Sequence, residues 1–232
     1  PFIGVALWIL PRRASKPSAD NVFDRHHPFA GLHEIARAPN LLGALLTVLT
    51  VSMLCAPLVT FTPVLVSAAF HGDARHFSAT VGAFGVGGLL GALALLAVPA
   101  TQDPRRWASL AAVACGLAVL ITALLPWFWS LPAVMVLAGA TMTVSSTSAN
   151  SLLQITAEPR LLGQTASLFM LAMRGGLSLG SLLTGLSVEL LGVRHALLIN
   201  GLLAVVLNLA IGRAWLRAPL PGVVPATRST AS

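Results

Sequence analysis

The chain has 232 residues, of which 56% are hydrophobic and only 9% charged; soluble domains carry about a quarter charged residues, so a water-soluble core is excluded. A formal charge of +7 would suit nucleic acid, but the basic residues sit in links between apolar runs and not on one aromatic-interleaved face. Nucleic acid is therefore excluded as a partner, and the lipid bilayer is expected in its place.

In chain order, residues 1–10 read as the end of a truncated transmembrane helix. The run opens Pro1-Phe2-Ile3 without Met, a basic n-region or a cleavage site, so it is no secretory signal, and a preceding portion is expected to be missing. Residues 11–40 form a polar linker carrying Arg12, Arg13, Lys16, Arg25 and Arg37. Residues 41–216 then hold six apolar spans, α1 (41–70), α2 (79–99), α3 (107–126), α4 (131–156), α5 (164–191) and α6 (194–215). Each is long enough for a hydrocarbon layer about 30 Å thick. Residues 217–232 are expected to be a disordered tail. The fold class is an all-α polytopic membrane protein.

Alternate links must lie on opposite sides of the membrane. One side collects the five linker cations, Arg105, Arg106, Arg160, Arg213, Arg217 and Arg228; the other holds Arg75 and Arg194. The positive-inside rule places the linker and the C-terminus in the cytoplasm. Trp8, Trp107, Trp127, Trp129 and Trp215 fall near span ends, where an indole keeps its N–H wet and its ring in lipid. Cys55 and Cys115 are isolated within spans and form no redox motif. His26, His27, His33, His71 and His76 lack metal-ligand spacing and read as solvated loop residues, so no metal or cofactor is expected.

Within the spans, Gly139, Thr143, Ser146, Thr147, Asn150, Ser151 and Gln154 recur along α4 at steps of three and four, on one helical face. Such a stripe lines a substrate cavity, or its hydroxyls bond their own backbone and a neighbouring helix. Arg174 lies about 15 Å into α5, close to the midplane. It reads as a site for an anionic substrate group, as the partner of a carboxylate on another helix, or as a snorkelling cation beside Gly175-Gly176. Four-residue ladders of Ala83, Gly87 and Gly91 on α2, and of Ala172, Gly176, Gly180 and Thr184 on α5, predict close helix seams that pack or slide. Pro57 and Pro63 should kink or unwind α1, making it a candidate gate, with Thr47, Thr50, Thr60 and Thr62 re-satisfying freed backbone groups. Asp103, Arg105 and Arg106 at the α2–α3 turn, with Arg160 at the α4–α5 turn, are candidates for a cytoplasmic latch or serve only as topology determinants. The sequence holds no Walker A loop, no nucleophile elbow and no HExxH, and its loops have no room for a catalytic domain, so no enzyme is expected.

The six spans behind a basic linker resemble the C-terminal half of a major facilitator superfamily transporter. Asn150-Ser151-Leu152-Leu153-Gln154 running through Glu158-Pro159-Arg160-Leu161-Leu162-Gly163-Gln164, then Gly175-Gly176, Gly180 to Gly185 and Glu189-Leu190-Leu191-Gly192-Val193-Arg194, are similar to the last three helices of the bacterial efflux branch that includes the enterobactin exporter. That turn in the branch reads Arg-Gly-Arg, whereas Leu162 and Gln164 flank Gly163 here. The resemblance implies a secondary transporter in the bacterial inner membrane. It would export a small organic solute by alternating access with proton coupling, and pair with a missing N-terminal six-helix half. No Asp or Glu lies mid-span, Glu189 being near the outer surface, so the coupling carboxylate is expected in that half. A non-transporting membrane scaffold and a polytopic membrane enzyme are the alternatives.

Overall fold

A computed structural model describes residues 38–69, 72–99, 102–156 and 162–217. The expected helix end at 1–10, most of the linker, the tail and Arg160 lie outside those residues. The described residues hold no strand, and six of their helices are long and apolar enough to cross a bilayer, which makes the chain an all-α polytopic membrane protein.

Local chemistry sets the helix starts earlier than hydropathy alone predicts. The second helix, α2, is Ala74–Ala97, because the Asp73 carboxylate accepts from the amides of Arg75 and His76 while the His76 ring returns to the Asp73 amide, a reciprocal cap. His76 is thus a helix residue and not a solvated loop histidine. Those bonds, led by the one from the His76 amide, hold the Asp73 carboxyl below its usual range. The third, α3, is Pro104–Leu124, with Asp103 as N-cap and proline in its first turn. The fourth follows a short 3₁₀ turn and is Leu131–Thr156 as expected. The fifth is Leu162–Leu191, and the sixth, Val193–Arg217, begins after Gly192, whose φ of 82° suits a residue without Cβ.

The first helix departs most from a simple span. It comprises Pro39–Thr50, a π-helical stretch Val51–Cys55 and Pro57–Thr60, then continues through Thr62–Val64 and a second π stretch, Leu65–Ala69. The Ala56 amide reaches back five residues to Val51 O (3.1 Å), because Pro57 offers no N–H and its ring crowds the preceding turn. Phe61 leaves helical geometry at φ −96°, ψ 6°. Thr47, Thr50 and Thr62 donate to Gly43 O, Leu46 O and Leu58 O, each at 2.8 Å, so these three hydroxyls back-bond within the helix and do not reach Met53 O or Val59 O, the carbonyls that Pro57 and Pro63 free.

Three seams assemble the bundle, all made by small residues that let backbones meet. Gly87 and Gly91 of α2 lie against Val136 and Ala140 of α4, while Gly139 of α4 lies against the Phe84 carbonyl. These pairs rise in the same direction, so α2 and α4 are parallel. Gly176 and Gly180 of α5 run parallel to Leu49 and Met53 of α1. The third seam, between α3 and α6, is antiparallel: Ser109 meets Gly212, Gly116 meets Ala204 and Val205, and Leu120 meets Gly201. These relative directions are those that alternate crossings of a bilayer require, with α1 matching α5, α2 matching α4 and α3 opposing α6.

The structure also brings together two residues that look isolated in the sequence. Cys55, in the α1 π stretch, and Cys115 of α3 are almost fully buried in one apolar cluster, with their thiols in contact. Neither should react with a membrane-permeant maleimide in the native protein, and both should react after denaturation. Native labelling of either, read by mass spectrometry, would contradict this packing.

Candidate functional site

Four features carry polar chemistry within or beside the apolar spans. The first is the broken part of α1 on α5. Pro57 lies four residues beyond Met53, where a regular helix would return an N–H to the Met53 carbonyl. Gly180 brings its backbone against that same carbonyl, and one turn earlier a Cβ on Gly176 would come within 3.1 Å of Leu49 O and of Ser52 Cβ. Pro57 is buried and Pro63 exposed, so the two prolines of this candidate gate do different work: one shapes the packed seam, the other faces outward. Thr184, the last rung of the ladder, accepts from the Asn200 amide at 2.7 Å, joining α5 to α6.

The second is the α4 stripe. Gly139 at its start is buried in the α2 seam. Beyond it Thr143, Ser146 and Asn150 are half-buried, and Thr147, Ser151 and Gln154 are exposed. Ser146 donates to Met142 O (2.8 Å), so its hydroxyl is satisfied by its own helix. Thr143 abuts α2, since a Cβ on Gly88 would sit 3.2 Å from its Oγ1. The stripe therefore emerges from the bundle progressively, leaving Thr147, Ser151 and Gln154 exposed and Asn150 half-buried.

The third is Arg174, which is exposed on α5. Gly176 and Gly180 face α1 from nearly the opposite side of the helix. Among the described residues no carboxylate pairs with Arg174, and Glu189 on the same helix is 15 residues away, about 22 Å along the axis. Ser178, one turn on, donates to Arg174 O (3.0 Å).

The fourth is a cluster at one end of the bundle, where α1 and α3 begin and α6 ends. The buried Arg105 grips Asp103 sideways, with Nε at 3.1 and 3.0 Å from the two carboxylate oxygens and Nη2 at 2.9 Å from Oδ2. Its Nη1 donates to Asn40 Oδ1 (3.1 Å) and to the Trp215 carbonyl (3.5 Å). Burial pushes the Asp103 carboxyl up, but the Arg105 hydrogen bonds and the charges of Arg105 and Arg106 outweigh it, so the group sits below its usual range. Arg106 is exposed and does not share these contacts. Within the described residues the proposed latch is a staple joining three helices of one bundle.

This cluster corrects one expectation. Trp107, Trp127 and Trp129 are exposed near span ends, but Trp215 is 2% exposed, its indole filling the space that Gly43 leaves. Its indole N–H has no partner, so it is a core residue and not an interfacial anchor.

Several buried polar residues escaped sequence reasoning. Ser145 and Ser148 lie on the opposite face of α4 from the stripe, and Asn200 and Asn208 are buried on α6. The α6 signal was available: Asn200, Ala204, Asn208 and Gly212 stand at four-residue steps, the same ladder spacing that marks α2 and α5. Asn208 donates to Ala204 O (2.9 Å) while its buried Oδ1 has no partner.

No curated protein matches the chain. Its sequence does match the family described as transmembrane secretion effector over residues 5–224, nearly its whole length, and the six apolar helices have the form such a protein requires. The chain belongs to that family and is a transporter of the major facilitator type.

Proposed function

We propose that the chain forms the helical half of an exporter in which Thr143, Ser146, Thr147, Asn150, Gln154 and Arg174 line the path of a small organic solute. The observation that carries this reading is the α4 stripe together with Arg174: polar side chains that run from the middle of α4 to its end at Gln154, and a cation near the middle of α5, where lipid contact would be costly. Water, a solute or a second helical unit must cover them. A packed seam needs only the small residues of the ladders; a polar face left open fits a cavity shared with a second six-helix unit. In this reading the Asn40–Asp103–Trp215 end is cytoplasmic in a bacterial inner membrane, and the transport cycle is alternating access of the efflux type. A carboxylate outside the described spans couples it to protons. The protein makes and breaks no covalent bond.

Asn150→Ala in the full protein should lower efflux several-fold, as expected for losing one directional hydrogen bond to a solute, about 1 kcal/mol, with its membrane level unchanged. Accumulation of anionic, neutral and cationic fluorescent dyes in expressing cells measures it. Wild-type efflux by both Asn150→Ala and Arg174→Ala would remove the path assignment. No effect of the wild-type protein on any dye would favour the scaffold alternative.

A further inference from the structure

The seam between α1 and α5 opens outward into a groove of about 340 Å³. Its walls are apolar: Leu42, Leu46 and Leu49 from α1, and Leu171, Gly175 and Leu179 from α5. Leu171 and Leu179 are 67% and 55% exposed, so the groove is open along its α5 side. Its volume falls in the range of small-molecule sites. Arg174 is not itself a lining residue, but it is next to Gly175 in sequence and one turn from Leu171, which makes it a surface neighbour of the groove's outer wall. Gly175 adds no side chain to the groove wall beside Arg174, and a Cβ there would meet only Leu171 Cδ1, at 3.8 Å.

From this juxtaposition we infer that the solute is an amphipathic anion, its apolar body seated in the α1–α5 groove and its acidic head paired with Arg174. The inference rests on the transport reading above and names its substrate class. The groove alone would accept any hydrophobe; the cation selects. A guanidinium at mid-span depth is expensive unless neutralised, and no carboxylate among the described residues reaches it. Burying the apolar body supplies affinity, while a bidentate guanidinium–anion contact supplies orientation and discrimination against neutral and cationic analogues. Gly176 sets the depth of the groove by holding α5 close to Leu49 O.

The test is counterflow in phosphatidylcholine vesicles containing the full protein, with three rigid fluorescent probes: 1-pyrenesulfonate, 1-pyrenemethanol and 1-pyrenemethylammonium. Saturable movement of the sulfonate alone is expected. Arg174→Gln should raise its KM about tenfold, the loss of one charge-assisted contact, with the maximal rate retained. Arg174→Lys should stay within about threefold of wild type, which also shows that the site is folded. Leu171→Trp, which fills the groove, should raise KM for the sulfonate as well.

Preferential movement of the ammonium probe, or of none of the three while other dyes are exported, would overturn the anion assignment and leave the transport reading standing. A fall in maximal rate at unchanged KM in Arg174→Gln would assign the arginine to a protein carboxylate instead. If a few per cent of phosphatidylglycerol blocks sulfonate movement in wild type but not in Arg174→Gln, the groove belongs to an anionic lipid. Export of nothing in any assay would defeat the transport reading itself.

Discussion

Gly180→Leu is expected to unseat α5 from α1. A Cβ at this position would run into the Met53 carbonyl, and backbone cannot step aside as a flexible side-chain tip can. Overpacking typically costs about 1–3 kcal/mol, and contact with a main-chain carbonyl belongs at the upper end. The purified variant should melt several degrees below wild type and reach the membrane in reduced amount. Gly85→Leu provides the contrast, because Gly85 lies on α2 with nothing within 4 Å of the place a Cβ would take, and should melt as wild type does. Equal melting of Gly180→Leu and wild type would mean that this seam is not closed in the bilayer.

The same position explains why α1 is irregular where it is. Pro57 withholds the amide that a continuous helix would direct to Met53 O, and the π stretch Val51–Cys55 absorbs the resulting misfit. The bulge keeps Cys55 and Val51 in the core while the Met53 carbonyl faces the glycine ladder of α5. Glycine at 180 and proline at 57 are thus complementary halves of one contact made across two helices.

Spans, alternation of direction and two of the three seams were legible in the sequence, because twenty-residue hydropathy and four-residue small-residue steps are local signals. Helix starts were less legible: Asp73 and Asp103 are capping residues, but their short polar runs read as loop in a hydropathy scan. Cys55 meeting Cys115, and Trp215 filling the space over Gly43, depend on how distant helices cross, which no local period encodes. The α4 stripe was visible as a period, but not how it divides between the α2 seam and the open face. That division follows the α2 contacts: Gly139 packs against Phe84 O and Thr143 beside Gly88, while Thr147, Ser151 and Gln154 beyond them are exposed.

Arg105→Ala is the second large effect. Arg105 is 3% exposed and holds Asp103, Asn40 Oδ1 and the Trp215 carbonyl together. Removing one partner of a fully buried pair costs about 3–5 kcal/mol; Asp103 is only partly buried and keeps some hydration, so the cost falls below that range but above a surface change. A drop in melting temperature well beyond that of Arg106→Ala is expected, since Arg106 is exposed and such surface changes usually stay within about 0.5 kcal/mol. Arg105→Lys should recover only part of the loss, as an ammonium cannot serve the carboxylate side-on while also reaching α1 and α6. The Asp103 carboxyl is depressed in the folded state, so its contribution is complete above the unfolded value of about 3.9 and is lost as pH falls through the folded value. The gap between wild type and Arg105→Ala should therefore be constant near neutrality and narrow only in strong acid. A gap that closes between pH 8 and 6 would mean that a histidine, and not this carboxylate, governs the staple. Because it fixes the ends of α1, α3 and α6 to one another, those three ends must move as one body, and any hinge in α1 has to lie beyond it, at the break around Pro57 and Phe61.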